Sequence, residues 1–170
     1  TLQARSEGQI PLIMAESSSK HEVRGIVRMA EMASSEDFHT LLRNGTLAIT
    51  ITPDKGERYQ GLVSLEGNNL AECLESYFAQ SEQVATRIWL GADKQRCGGL
   101  LIQALPLQET TAEEQAQQWE HFVALAQTVK TPELLSTDHE TLLHRLYHQD
   151  PFSLFPPSPV TFACRCSRER

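Results

Sequence analysis

The chain has 170 residues, of which 40% are hydrophobic and 22% charged, the composition of one soluble globular domain or one domain with an appendage. Its formal net charge of −7 argues against a broad DNA- or RNA-binding surface, which needs clustered Lys and Arg. No apolar run approaches the ~18 residues of a membrane span. Four cysteines, Cys73, Cys97, Cys164 and Cys166, are too few for a disulfide-stapled secreted scaffold, so a reduced, cytoplasmic setting is expected.

In chain order, Thr1-Leu2-Gln3-Ala4-Arg5 reads as the middle of a strand and lacks an initiator Met, so a fragment of a longer protein is expected. Leu12 to Ala15 and Val23 to Met29 are strand candidates. Ser35-Glu36-Asp37 starts a short helix, and Asn44-Gly45 ends it with a left-handed cap. Leu47, Ile49 and Ile51 alternate with Ala48, Thr50 and Thr52, as in a half-buried strand. Pro53-Asp54-Lys55-Gly56 is a turn, because Pro presets φ and Gly tolerates positive φ. Tyr59, Gly61, Val63 and Leu65 resume the alternation, which makes 47–65 a β-hairpin. Asn69 and Glu72 resemble a capping box, and behind them Leu70, Cys73, Leu74, Tyr77 and Phe78 share one helical face. Ala85 to Leu90 and Leu100 to Leu105 are further strands, with Gly98-Gly99 marking the entry to the second and Cys97 in the turn beside them.

After Pro106 the character changes to Gln, Glu and Ala. Thr111 and Glu114 make a capping box for a helix reaching about Val129, with Trp119, Phe122, Val123 and Ala126 as its apolar face. Thr131-Pro132-Glu133 starts a short helix with Pro at the first helical position. Thr137 and Glu140 cap a third, with Leu142, Leu143, Leu146 and Tyr147 as its stripe, and Asp150-Pro151 ends it. Pro156-Pro157-Ser158-Pro159 is an extended linker, and Val160 to Ala163 a short strand. The fold class expected is α+β: a strand-rich core with packed helices (1–107), a helical linker (108–158) and the start of a small zinc or redox-switch element (159–170).

The end of that element, Cys164-Arg165-Cys166-Ser167-Arg168-Glu169-Arg170, carries the chemistry. Two thiols one residue apart can supply half of a tetrahedral zinc site, which takes four ligands. They can also form a redox pair, whose very small ring conflicts with relaxed disulfide geometry and so suits a switch better than a staple. The flanking arginines favour the thiolate that either role requires. Two unrelated surface cysteines are the third reading. Cys73, on an apolar helix face, reads as a small buried hydrophobe. His144 and His148 stand at i, i+4 and could pair on a metal, but Arg145 stands where a metalloprotease helix has Glu, and two exposed histidines are the simpler expectation. No GxSxG elbow, P-loop or GxGxxG is present, so nothing supports an enzyme.

Several stretches taken together resemble a known family. They are Gly56-Glu57-Arg58-Tyr59-Gln60-Gly61 with Leu65-Glu66-Gly67; Cys73-Leu74-Glu75 with Tyr77-Phe78; Ser81-Glu82-Gln83 with Thr86-Arg87; Arg145-Leu146-Tyr147-His148; and Cys164 to Arg170 as a CxCSRER signature. Present in this order along nearly the whole chain, they resemble the redox-regulated bacterial heat-shock chaperones of thirty-three kilodaltons. The resemblance implies an ATP-independent holdase that binds unfolding client proteins and acts as a dimer. It implies zinc held by the CxC pair and a later CxxC, with each pair oxidised to a disulfide as the zinc leaves and the linker loosens. Cys164 and Cys166 match the first pair; the second has no counterpart here, so this chain is expected to lack bound zinc. Cys73 matches a family cysteine outside the zinc site. Trp119, Phe122, Leu142, Leu146 and Tyr147 are the residues expected to meet clients once uncovered. The alternatives are a structural zinc-ribbon interaction module and a thiol oxidoreductase.

Overall fold

The computed structural model describes residues 1–30, 34–105 and 111–164. In chain order the elements are β1 (Leu2–Arg5), β2 (Leu12–Ser17), β3 (Glu22–Arg28), α1 (Phe38–Leu41), β4 (Thr46–Ile51), β5 (Tyr59–Ser64), α2 (Leu70–Tyr77), β6 (Thr86–Ala92), β7 (Cys97–Gln103), α3 (Ala112–Ala126), α4 (Thr131–Ser136), α5 (His139–Tyr147) and β8 (Thr161–Phe162). A π-helical turn, Phe78–Glu82, follows α2. The class is α+β, and no helix among the described residues is long and apolar enough to cross a membrane. Contacts divide the chain into two compact units, Thr1–Cys73 with Pro156–Arg170, and Leu74–Phe155.

The first unit is a six-stranded sheet in the order β5-β4-β1-β2-β3-β8. Its pairings are antiparallel except that of β8, which runs parallel to β3. Because side chains alternate across a strand, the register gathers an apolar row on one face: Val63 opposite Leu47, Leu47 opposite Ala4, Ala4 opposite Ile13 and Ile13 opposite Val27. Burial along that row falls outward. Ala4 and Leu47 are 0% exposed, whereas Val27 is 53% exposed. The expected hairpin forms, and Gly56 takes φ +108 in its turn. Asp37 caps α1 by accepting the Thr40 N–H at 2.7 Å. That helix is shorter than the sequence suggested, although Asn44 does adopt the left-handed conformation with φ 50.

In the second unit β6 and β7 form a separate hairpin, closed at Asp93, whose carboxylate accepts the N–H groups of Gln95 and Arg96 at 2.7 and 2.6 Å. Those two bonds hold the Asp93 carboxyl below the usual carboxylate range, Gln95 contributing most. Gly98 and Gly99 lie inside β7 rather than at its entry, and Cys97 is the exposed first residue of that strand rather than a turn residue. The reason is packing against α4: a Cβ at Gly98 would fall 2.6 Å from the Leu134 carbonyl oxygen, and one at Gly91 would fall 2.9 Å from Thr131 Cγ2. Glycine here admits a helix rather than breaking a strand.

The helices begin where their caps dictate. Thr111 and Glu114 form the complete capping box expected of α3, and the Thr111 N–H holds the Glu114 carboxyl below its usual range. That helix ends at Ala126, three residues before Val129. The cap of α5 is Asp138, not Thr137: its carboxylate accepts the Thr141 N–H at 2.9 Å. A carboxylate one residue nearer the helix competes better for the unpaired N–H groups of the first turn. The helix ends at Tyr147, ahead of Asp150-Pro151.

Candidate functional site

Cys164, the first thiol of the pair, lies just beyond the end of the parallel strand β8. Thr161 N–H donates to the His21 carbonyl at 2.9 Å and Ala163 N–H to the Val23 carbonyl at 3.2 Å. Those bonds tie β8 to the start of β3, and Cys164 follows one residue later, exposed to solvent. Ala163 lines a cleft of about 750 Å³ whose wall carries Glu16, Lys20, Glu22, Arg24 and Asp54, with Arg24 and Glu16 ion-paired. Cys164 is thus accessible to a dissolved oxidant or metal beside a polar, charged surface. Cys166 and the three arginines lie outside the described residues.

The other two thiols differ. Cys73 is 1% exposed, and burial pushes its thiol upward, away from the reactive thiolate; the sequence reading of a buried hydrophobe holds. Cys97 is exposed on β7. The thiol chemistry of Cys164 fits zinc, but among the described residues no group of three or more His, Cys, Asp and Glu could hold a metal ion. A structural zinc site takes four ligands, and of the thiol pair only Cys164 is among the described residues.

The five residues expected to meet clients lie on two helices that pack together. Leu142 and Tyr147 are buried, while Trp119, Phe122 and Leu146 are half-buried. The rings of Phe122 and Tyr147 are 5.4 Å apart, and the Tyr147 hydroxyl donates to the Phe122 carbonyl at 3.2 Å. Burial pushes the Tyr147 hydroxyl up to about 12, with the Asp150 carboxylate adding to the effect. One residue before Phe122, His121 Nε2 lies 3.1 Å from each oxygen of Asp150. These contacts join the middle of α3 to the end of α5.

Trp119 and Phe122 also line a groove of about 250 Å³ with Ile102, Gln103, Ala104 and Leu105 of the β7 end. Sequence reasoning missed the strand's share of that groove. Leu105 is 73% exposed, and in sequence it reads as one more strand residue. The exposed Phe152, Leu154 and Phe155 were missed too, because an apolar residue in a Pro-rich stretch has no periodicity to mark it.

The family model described as Hsp33 protein matches residues 1–170. The 33 kDa chaperonin of Pseudomonas syringae pv. syringae (strain B728a) is 51% identical over 172 residues, covering 99% of this chain and 57% of the relative. That of Ectopseudomonas mendocina (strain ymp) is 51% identical over 172 residues, covering 99% and 58%. The chain thus spans less than two thirds of the curated relatives it matches. The crystal structure of a 33 kDa chaperonin (heat shock protein 33 homolog) from Thermotoga maritima superposes with a TM-score of 0.77 at 20% identity, covering 99% of this chain and 60% of that one. At that identity the likeness establishes the α+β fold, and the family model establishes the lineage: this chain belongs to the Hsp33 family.

Proposed function

We propose that the chain is part of a redox-regulated, ATP-independent chaperone, a holdase that binds unfolding proteins under oxidative stress and keeps them from aggregating. Family membership supports the chaperone reading, since the relatives are named 33 kDa chaperonin. The observation that carries it furthest is the apolar stripe of α3 and α5. Trp119, Phe122, Leu142, Leu146 and Tyr147 are covered or half-covered while the two helices pack, joined by the Tyr147–Phe122 and His121–Asp150 contacts. Helices this short depend on packing rather than propensity, so loosening the join turns a covered stripe into an exposed apolar surface.

In this reading residues 1–107 are the chaperone core, 108–158 the linker that loosens, and 159–170 the part of the switch that lies in this chain. A peroxide takes two protons and two electrons from the Cys164 and Cys166 thiols, which become a disulfide while the peroxide leaves as water. Closing so small a ring strains the bond and makes it easy to reduce again. Zinc, when bound by the intact reduced protein, would accept both thiolates and hold the switch element folded. The active form is a cytoplasmic homodimer that engages unfolded proteins and neither nucleic acid nor membranes.

The test is light scattering of a chemically unfolded client diluted into buffer with this chain, without nucleotide, before and after peroxide. Suppressed aggregation is expected, and a Cys164→Ser, Cys166→Ser double variant should lose any gain that peroxide produces. Suppression by the reduced chain would mean that the client surface is already open. Absence of suppression in both states would overturn the holdase reading for this chain.

A further inference from the structure

The last turn of α5 carries a feature that the thiol switch does not use. His144 and His148 are one helical turn apart, both exposed, and their rings face each other with centroids 5.9 Å apart and an interplanar angle of 23°. The backbone closes the same turn, because the His148 N–H donates to the His144 carbonyl at 2.9 Å. His148 keeps helical backbone angles, φ −61 and ψ −18. Its side chain therefore stands over the same face as that of His144. The pair also occupies the C-terminal end of its helix, where the aligned peptide dipoles favour a cation.

We propose that His144 and His148 form a two-imidazole chelate for a late divalent transition-metal ion, of the class of Ni²⁺, Cu²⁺ and Zn²⁺. Neutral imidazole is the ligand these ions share. With metal–nitrogen bonds of about 2.0–2.1 Å, two nitrogens on one ion sit roughly 3 Å apart. Two rings already facing one another reach that spacing by side-chain rotation alone, without moving the helix. Both side chains are exposed, so water fills the remaining coordination positions and binding is weaker than at a closed four-ligand site. The bound ion staples residues 144 and 148 together and braces the turn that carries Leu146 and Tyr147. Metal then opposes release of α5. This consequence for client binding rests on the holdase reading; the metal site does not.

The experiment is a calorimetric titration of the 170-residue chain with NiCl₂ after alkylation of its accessible thiols, which removes competing sulfur ligands. One ion per chain is expected. Even the outer partners of metal ligands are worth about tenfold in affinity, so His144→Gln and His148→Gln should each weaken binding about tenfold or more. His139→Gln, on the same helix, should leave it unchanged. Line broadening of imidazole resonances by Ni²⁺ should fall first on His144 and His148 among the six histidines, a readout independent of helix stability. Undiminished binding in both variants, or loss in only one, would overturn the chelate, since either result leaves at most one imidazole as a ligand. Failure of the chaperone assay with an intact nickel site would fault only the holdase reading.

Discussion

The sheet unit and the helix-bearing unit are held in different ways. In the sheet unit a continuous ladder runs from β5 to β3, and its apolar row is fully buried at Ala4 and Leu47 and open at Val27. In Leu74–Phe155 the joins are points. Gly91 and Gly98 let α4 reach the β6–β7 hairpin, and α3 meets α5 through a ring contact, a hydroxyl-to-carbonyl bond and a His–Asp pair. A ladder weakens gradually as residues are changed, whereas a point-held helix can be released by one change. Elements that open while a protein stays folded come from the second kind.

Four substitutions test this contrast. Both tryptophans, Trp89 and Trp119, lie in the helix-bearing unit, so their emission reads that unit while far-UV circular dichroism follows both. The largest effect is expected from Leu47→Ala, which removes a side chain with 0% exposure from the centre of the row and should cost about 3 kcal/mol in urea unfolding. Its loss should appear in the sheet signal, and a matching shift in tryptophan emission would show that the two units unfold together. Next comes Gly98→Ala. The new Cβ meets backbone rather than a movable side chain, so a destabilisation of about 1–3 kcal/mol is expected, seen as an earlier tryptophan transition. A variant as stable as the parent would show that α4 can slide along the hairpin.

Tyr147→Phe deletes the hydroxyl that donates to Phe122 and should cost about 1 kcal/mol. The same group sets an alkaline limit. Its folded-state value of about 12 lies above the ordinary 10.0, so the folded chain holds the proton more tightly than the unfolded chain. The stability it contributes is complete below pH 10 and is lost as pH rises toward 12. Unfolding midpoints measured across that window should fall more steeply for the parent than for Tyr147→Phe, and parallel slopes would remove Tyr147 from the join. The smallest effect belongs to Asp138→Asn at the α5 cap. Thr141 N–H holds the Asp138 carboxyl below its ordinary 3.8, so its contribution is present above that pH and fades as acid protonates the folded carboxylate. Asn also caps helices but does not titrate there, so loss of helicity on acidification should be shallower in the variant.

Much of this was legible in the chain. Alternation over Leu47, Ile49 and Ile51 and the turn Pro53 to Gly56 set the β4–β5 hairpin, and Thr111 with Glu114 marked the start of α3, because both signals act between near neighbours. The thiol pair was legible as a motif, and Cys73 as buried. Gly98 was misread because its cause, the Leu134 carbonyl, is 36 residues away in sequence (134 − 98). The α5 cap was misplaced by one residue because Thr137 and Asp138 are both good caps and only the folded backbone selects between them.

By itself the sequence determined the α+β class, the order of the elements, the CxC signature and the apolar stripes of α3 and α5, since composition, periodicity and short spacings are properties of neighbouring residues. Tertiary structure decided which residues of those stripes are covered, that β8 pairs in parallel with β3, and that β7 shares a groove with Trp119 and Phe122. The physical reason is that burial and pairing between distant segments depend on where the rest of the chain lies.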